Sequence, residues 1–379
     1  MRTRKIAVVT TSRSDYAHLR WLLHDLENHP SIDLRVIAIG PHLSPEFGHT
    51  ARKIHRRKKL VTVVESLLSS DTDVGMAKSL GLATLGLADV LGRMRPDIVL
   101  LIADRYEMLA PASVALTLRI PIAHIEGGEI TSGAIDDAVR NALTKMSHLH
   151  FACTKDARKR MIAQGEEAWR ITLSGSLSLD DFRRARLLTT RQLEKQLNIS
   201  LGGQTILVVY HPVTLLKDTV EEATQLFSAL EKLKQQLLFI YPNADAGSRR
   251  LIQLIKRFVS DHARAKAFVN LDHPTFLSML RNVDLLIGNS SSGLIESTTA
   301  KLPTINIGIR QRGREHASNV LGVSANNRKI IRAIRQALSP GFKQSIQNLE
   351  NPYGDGRACS RIVSTLARTP LGSKLLFKT

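Results

Sequence analysis

Carboxylates recur in this chain where apolar runs give way to polar residues. Asp104-Arg105-Tyr106-Glu107 follows the apolar run 98–103, and Glu126-Gly127-Gly128-Glu129 follows the run 121–125. Asp136 and Asp137 then stand at the start of a helical pattern. Short runs rich in Ile, Val and Leu read as buried strands, so Asp104 and Glu126 fall at strand ends. Carboxylates gathered at one edge of a sheet raise some of their pKa values, which suits proton transfer. A helix N-cap, worth about 1 kcal/mol, would account for one of Asp136 and Asp137. It leaves the other unexplained, and Asp104 and Glu126 as well. Gly127 and Gly128 permit backbone angles closed to other residues and let a ligand approach closely.

The second half carries a different set. GNSSSG (288–293) follows the apolar run 285–287 and feeds a helix expected from Leu294. Backbone N–H groups at such a turn, with the helix dipole and the hydroxyls of Ser290 and Ser291, suit a phosphate. Gly288 gives the turn its freedom. Glu296 falls in the first helical turn, where it complements the dipole or accepts hydrogen bonds from ribose hydroxyls. Arg310, Arg312 and Arg314 follow the run 304–307, and one of them could neutralise a diphosphate. His211 ends the run 205–210 just before Pro212 and is a candidate for proton transfer. The chain lacks G-x-x-x-x-G-K-[ST], and no G-x-G-x-x-G follows its first strand, which argues against a P-loop NTPase and a dinucleotide cofactor. No His, Cys and Asp residues stand at metal-ligand spacing.

A scaffold must bring these groups together. Strands are expected at 5–10, 34–40, 98–103, 121–125, 148–152 and 171–173, and again at 205–210, 236–241, 267–270, 285–287 and 304–307. Helices are expected at 16–26, 74–94, 110–119, 137–147 and 220–234. This alternation argues for parallel sheets covered on both faces. A length of 379 residues fits two domains. The expected division is a Rossmann-like domain at 1–180 bearing the carboxylates and a second at 181–354, with a C-terminal helix, 355–379, packing back on the first. Open parallel sheets take ligands at the carboxyl ends of their strands, so two of them facing across a cleft would share a ligand.

Composition narrows the function classes. Lys and Arg number 53 against 34 Asp and Glu, a net charge of +19. That excess suits nucleic acid, an anionic surface or an anionic substrate. It is spread along the chain, with short clusters at 52–59 and 183–186, and aromatics are only 4%, which leaves few platforms for stacking single strands. Solvated basic faces are the expectation, with no nucleic-acid partner. No run of about 18 apolar residues occurs, so no membrane span is expected. The apolar stretch 6–9 is too short for a signal peptide. Cys153 and Cys359 are expected to be reduced and buried in a cytoplasmic protein.

The motifs together resemble the hydrolysing UDP-N-acetylglucosamine 2-epimerases of sialic acid synthesis. The matching strings are SRSDY (12–16), HLSPEFG (42–48), DRYE (104–107), HIEGGE (124–129), GAIDD (133–137), YPNADAGSR (241–249), GNSSSGLIE (288–296), INIGIRQRGR (305–314) and NPYGDGRA (351–358). They span nearly the whole chain. The resemblance implies a GT-B-like fold, α/β throughout, with no metal or other cofactor and a homo-oligomeric assembly. It implies removal of the proton at carbon 2, expulsion of UDP, and hydration of a 2-acetamidoglucal to N-acetylmannosamine. Asp104, Glu126 and Asp136 match the family's catalytic carboxylates, and His211 could assist either step. Arg105, Ser290, Ser291, Glu296 and Arg310 resemble its UDP-site positions. Arg13, Asp15 and Asn243 match other cleft positions, and Glu129, Asp137 and Gly288 complete the expected contacts. Thr11, Ala17, Asn141 and Leu177 depart from the usual pattern. A sister branch acts on UDP-2,4-diacetamido-2,4,6-trideoxyglucose for legionaminic acid, and the motifs are shared. Two other readings compete: a glycosyltransferase of the same fold, and a basic nucleic-acid-binding module.

Overall fold

A computed structural model describes residues 3–44, 61–68, 70, 72–131, 135–213, 218, 220–242, 247–269 and 271–378. The chain forms two compact units. The first comprises Met1–Glu129, Ala134–Asp180 and Gly354–Thr379, and the second Ile130–Gly133 and Asp181–Tyr353.

The first unit runs β1 (Arg4–Thr10), α1 (Arg13–Glu27), β2 (Ile32–Ile39), β3 (Val61–Val64), α2 (Asp73–Met94), β4 (Ile98–Ile102), α3 (Leu109–Thr117), β5 (Ile122–Ile125), α4 (Ile135–Met146), β6 (Leu149–Ala152), α5 (Lys155–Ala163) and β7 (Ile171–Leu173). All pairings are parallel, in the order β3-β2-β1-β4-β5-β6-β7. The order reverses between β1 and β4, where Val8 lies opposite Leu100. Such a switch point opens a crevice at the carboxyl ends of its two strands. All five residues of β4 are buried, as expected of a parallel strand covered on both faces. The expected polar loop at 12–15 is instead the start of α1. Ser12 caps it, and Asp15 answers the Ser12 backbone in a capping box. β3 had no counterpart among the expected strands.

After α6 (Asp180–Arg184) and α7 (Thr190–Leu197), the second unit runs β8 (Thr205–Val209), α8 (Glu221–Leu230), β9 (Gln236–Ile240), α9 (Ser248–Asp261), β10 (Ala265–Phe268), α10 (His273–Asn282), β11 (Leu285–Gly288), α11 (Glu296–Thr299), β12 (Thr304–Ile307), β13 (Val320–Val323), α12 (Asn327–Ala337) and α13 (Pro340–Ser345). Its parallel sheet has the order β10-β9-β8-β11-β12-β13 and switches between β8 and β11, where Val209 lies opposite Gly288.

The C-terminal segment ends in two helices, α14 (Ala358–Arg368) and α15 (Ser373–Leu376), rather than one. Thr369 is extended ahead of Pro370, whose ring disfavours helical angles in the residue before it. The Asp180 carboxylate accepts the backbone N–H groups of Ala358 and Cys359 at 2.9 and 3.3 Å. It thereby satisfies the open donors of α14. Arg170, 1% exposed, donates to the carbonyls of Leu375 and Lys374 at 2.7 and 3.1 Å, and also to that of Phe377. Both cysteines are free and buried.

Helix α2 differs from the expectation of no membrane-length segment. It is long and apolar enough to cross a bilayer by length and composition, with a mean hydropathy of 1.4 over its best window. Its glycines and single charges break the apolar run in the sequence without lowering the average much. One face of it, Gly75, Ser79, Ala83, Leu87 and Leu91, is buried within the first unit.

Arg170 ties the chain terminus to β6 and β7 through charge-assisted hydrogen bonds. Arg170→Met should therefore cost about 3 kcal/mol of stability. It should also open the residues after 370 to limited proteolysis. Urea unfolding and digestion with a nonspecific protease check both.

Candidate active site

In the first unit the acidic residues sit where β4 and β5 end. Ala103 and Glu126, the residues directly after these strands, have φ of 60° and 69°. Left-handed backbone at a residue with a side chain costs on the order of 1–3 kcal/mol and persists only where surrounding bonds over-determine it. Here the Ala103 N–H donates to the Ile125 carbonyl at 3.0 Å, and the Glu126 N–H to the Phe151 carbonyl at 3.0 Å. The His124 ring nitrogen Nε2 bonds the Ala103 carbonyl at 2.7 Å. Burial pushes the His124 imidazole down to about 3, so it is neutral near pH 7 and Nε2 is the donor. The two turns thus aim Asp104 and Glu126 from neighbouring strand ends.

Arg140 on α4 is the hub of this arrangement. Its side chain is 3% exposed. It donates to the Glu129 carbonyl at 3.0 Å, lies 3.5 Å from the Asp137 carboxylate, and binds Asp104 through Nη2. Sequence reasoning passed over Arg140. The available signal was its place four residues after Asp136 and three after Asp137, on the same helical face. Arg105, the residue after Asp104, pairs with buried Glu107 at 2.6 Å. Neither Asp136 nor Asp137 lies ahead of α4 as an N-cap. Both lie inside its first turn. Burial and the Asp104 charge raise the Asp136 carboxyl above the ordinary range, against the lowering effect of Arg140 and Arg105.

Asp15 is also buried. Its Oδ2 accepts from the Thr11 hydroxyl at 2.6 Å and from the N–H groups of Thr11 and Ser12 at 3.1 and 3.2 Å. The carboxylate thereby fixes the β1–α1 turn at the switch point. The Arg13 side chain, residues 45–48 of HLSPEFG, Gly133 and Ala134, Asn243 and the basic cluster at 52–59 lie outside the described residues.

The second unit builds its own strand-end site around Asn289. The Asn289 Oδ1 accepts the His211 N–H at 2.7 Å, and its Nδ2 donates to the His211 carbonyl at 2.8 Å. The loops after β8 and β11 are thereby locked together. Arg310 Nη1 and Gln311 Nε2 each donate to the Asn289 carbonyl at 3.1 Å. Gly288 has φ +152°, and a Cβ there would lie 1.9 Å from the Val209 carbonyl oxygen, so only glycine fits. Burial, with Arg310 nearby, pushes the His211 imidazole down to about 3. The helix expected from Leu294 is shorter: a 3-10 turn, Ser291–Gly293, precedes the four-residue α11. A helix that short has a small dipole, and the N–H groups of Ser292, Gly293, Leu294 and Ile295 already donate to Ser290 and Ser291, so any phosphate would rest mainly on the Ser290 and Ser291 hydroxyls. Glu296 is 4% exposed, and its Oε2 has no hydrogen-bond partner among the described residues. A buried acceptor left open is costly unless a ligand donor fills it. Among the described residues no group of His, Cys, Asp and Glu could hold a metal ion.

Two Rossmann-like parallel sheets, each with its polar residues at a topological switch point, define a GT-B-like α/β protein. The chain belongs to the UDP-N-acetylglucosamine 2-epimerase family, whose model matches residues 24–367. It is 38% identical over 348 residues to the GDP/UDP-N,N'-diacetylbacillosamine 2-epimerase (hydrolyzing) of Campylobacter jejuni, covering 91% of this chain and 90% of that one. It is 34% identical to the UDP-N,N'-diacetylbacillosamine 2-epimerase (hydrolyzing) of Legionella pneumophila, covering 99% and 98%. The crystal structure of UDP-GlcNAc 2-epimerase from Neisseria meningitidis bound to UDP-GlcNAc shares the fold, with a TM-score of 0.78 at 18% identity over 96% of this chain and all of that one. The family and these relatives support hydrolytic 2-epimerisation of a UDP-sugar as the general reaction.

The raised Asp136 carboxyl has a consequence for stability. Above the ordinary aspartate value, about 3.9, the folded protein binds more protons than the unfolded one. Stability therefore falls as pH rises through the window up to the raised value. Asp136→Asn removes this loss. In urea unfolding the variant should be more stable than the parent at pH 8, with the gap closing below the ordinary aspartate range. A parent more stable at pH 8 would contradict the assignment.

Proposed function

We propose that the chain is a hydrolysing 2-epimerase of a UDP-linked 2-acetamido sugar, using no metal or redox cofactor. The carbon 2–hydrogen bond breaks and its electron pair forms a carbon 1–carbon 2 double bond. The bond from carbon 1 to the diphosphate oxygen breaks, and UDP departs with that pair. Water then adds across the double bond, hydroxyl to carbon 1 and a proton to carbon 2 from the opposite face. The free sugar of inverted configuration and UDP result.

The observation that carries this reading is the cluster of Asp104, Arg140 and Asp136. One carboxylate is bound by a buried guanidinium, and the other holds its proton more readily than usual. A base at carbon 2 and an acid for the hydration step call for two carboxyl groups in different environments. Glu126, aimed by its strained turn, is the third member of the set. His211, neutral near pH 7, can assist either proton transfer. Ser290, Ser291 and Arg310 neutralise the departing diphosphate, which is where charge develops. Glu296 takes the ribose hydroxyls on its open Oε2. Arg105, Glu129, Asp137, Arg13, Asp15, Asn243 and Gly288 complete the binding set. The nucleotide thus falls to the second unit and the sugar chemistry to the first.

Of the two candidate sugars, the 2,4-diacetamido-2,4,6-trideoxy sugar is the better supported. Both relatives cited above carry diacetylbacillosamine in their names. UDP-N-acetylglucosamine, giving N-acetylmannosamine for sialic acid, is the alternative. Buried free thiols fit work in a reducing cytoplasm.

Incubation with each UDP-sugar in deuterated water, followed by NMR, tests the reaction and the substrate together. Deuterium at carbon 2 of a free, inverted sugar is expected, with faster turnover of the diacetylated substrate. UDP release without deuterium would overturn the elimination mechanism. Asp104→Asn and Glu126→Gln should each lower kcat at least about a hundredfold while UDP still binds. Near-full activity in both would remove their roles. Glu296→Ala should raise KM about tenfold, with a smaller change in kcat.

A further inference from the structure

In the loop after β5, three consecutive backbone carbonyls each accept from an arginine. Arg160 of α5 donates to the Gly128 carbonyl at 2.5 Å, Arg140 of α4 to the Glu129 carbonyl at 3.0 Å, and Arg314 to the Ile130 carbonyl at 3.1 Å. Carbonyls withdrawn from water outside strands and helices need such donors. Gly128, at φ +76°, lies against α5, where a Cβ would come within 2.3 Å of the Ala157 carbonyl oxygen. The first two arginines belong to the first unit. Arg314, in the loop after β12, belongs to the second. By their packing so do Ile130–Gly133, although the chain on both sides of them lies in the first unit. Glu126 and Glu129 precede this short excursion, and Asp136 and Asp137 follow it.

Arg314 is itself held in place. Its Nε and Nη2 form one edge of a planar guanidinium. Nε takes the Ile130 carbonyl, and Nη2 lies 3.5 Å from the Thr131 hydroxyl. The loop that carries it is braced on either side. Arg310 and Gln311 donate to the Asn289 carbonyl, and the hydroxyl of buried Tyr353 donates to the Glu315 carbonyl at 3.1 Å. The Arg314 N–H turns back to the Gln311 carbonyl at 3.3 Å. A side chain anchored in this way fixes what it grips.

We propose that Arg314 is a positioning residue for the reaction. It holds Ile130 and Thr131, and through the adjoining peptide the Glu129 carbonyl to which Arg140 donates. Arg140 in turn binds Asp104. Without Arg314 the segment between the two acidic pairs is free to shift, and Arg140 loses a fixed acceptor. The carboxylates then spend less time in their reacting geometry, where a small displacement costs much rate. Ser290, Ser291, Glu296 and Arg310, which take the nucleotide, keep their places. Turnover and nucleotide binding are therefore separable at this residue. The role rests on the reading of Asp104, Glu126 and Asp136 as the groups that move protons.

Steady-state kinetics on the full chain, with UDP affinity measured by calorimetry, test this. Arg314→Met should lower kcat about thirtyfold, with KM and the UDP dissociation constant within about twofold of the parent. Arg314→Lys keeps a donor for the Ile130 carbonyl and should recover part of the loss. Millimolar guanidinium should restore part of kcat to Arg314→Ala and leave the parent unchanged, a recovery that general damage to the fold cannot produce. Hydrogen exchange at residues 127–131 should quicken about tenfold in Arg314→Met, with exchange in β4 and β5 unchanged. Undiminished kcat, or unchanged exchange at 127–131, overturns the role. Weakened UDP binding with kcat kept would make Arg314 a nucleotide contact instead. A parent that turns over no UDP-sugar would count against the functional reading, and the exchange comparison, which needs no substrate, would still decide whether Arg314 holds the segment.

Discussion

A guanidinium buried as deeply as that of Arg140 is expensive to desolvate, by several kcal/mol, unless its donors are met. In the first unit Asp104, Asp137 and the Glu129 carbonyl meet its two terminal nitrogens. These partners come from the end of β4, the first turn of α4 and the loop after β5. One side chain therefore fixes three chain segments that no strand pairing connects at that point. It also sets the field in which Asp136 ionises. Asp104 raises the Asp136 carboxyl and Arg140 opposes it, so the Asp104–Arg140 pair tunes its neighbour as well as binding it. Burial is the larger cause of the raised Asp136 carboxyl, and the pair adds to it and limits it.

The second unit solves a similar problem with a neutral side chain. Asn289 offers one donor and one acceptor to the backbone of His211, which pins the loops on either side of the switch point. Its carbonyl then receives Arg310 and Gln311 from the loop after β12. Three strand ends converge on one residue, as they do at Arg140. Gly288 makes the convergence possible, because any side chain there would strike the β8 backbone. Unusual backbone angles at Ala103, Glu126 and Gly288 thus all fall directly at or after strand ends bordering the sites. Among the described residues no non-glycine residue inside a strand has a positive φ.

Much of this was legible in the sequence, for a physical reason. Parallel strands buried on both faces read as short apolar runs, so β1, β4, β5, β8, β11 and β12 stand out, and the α/β class with them. Two of the four edge strands, β3 and β13, do not. β3 is only partly buried, and β13 carries a glycine and faces solvent on one side. The acidic and serine-rich clusters are contiguous in sequence and were visible as such. What organises them is not contiguous. Arg140 reaches Asp104 across 36 residues, and Asn289 reaches His211 across 78. Local reading placed Arg105 with the UDP-site residues and passed over Arg140, because adjacency is all that sequence displays. The structure gives Arg105 to Glu107, which lies two residues on and inside the core.

The buried acceptor left open in the second unit bears on how a nucleotide could be held. Glu296 keeps a carboxylate oxygen out of water with no described partner, and Ser290 and Ser291 lie beside it, only partly buried, in a turn whose Ser292, Gly293, Leu294 and Ile295 N–H groups donate back to Ser290 and Ser291. Such groups are already desolvated and oriented, so a ligand that supplies the missing donors or acceptors recovers free energy that the empty site forgoes. That energy is available for holding a nucleotide while its diphosphate becomes a leaving group. In the first unit the two carboxyl groups of the proposed proton transfers differ in setting: Asp104 is bound by Arg140, and burial with the Asp104 charge raises Asp136.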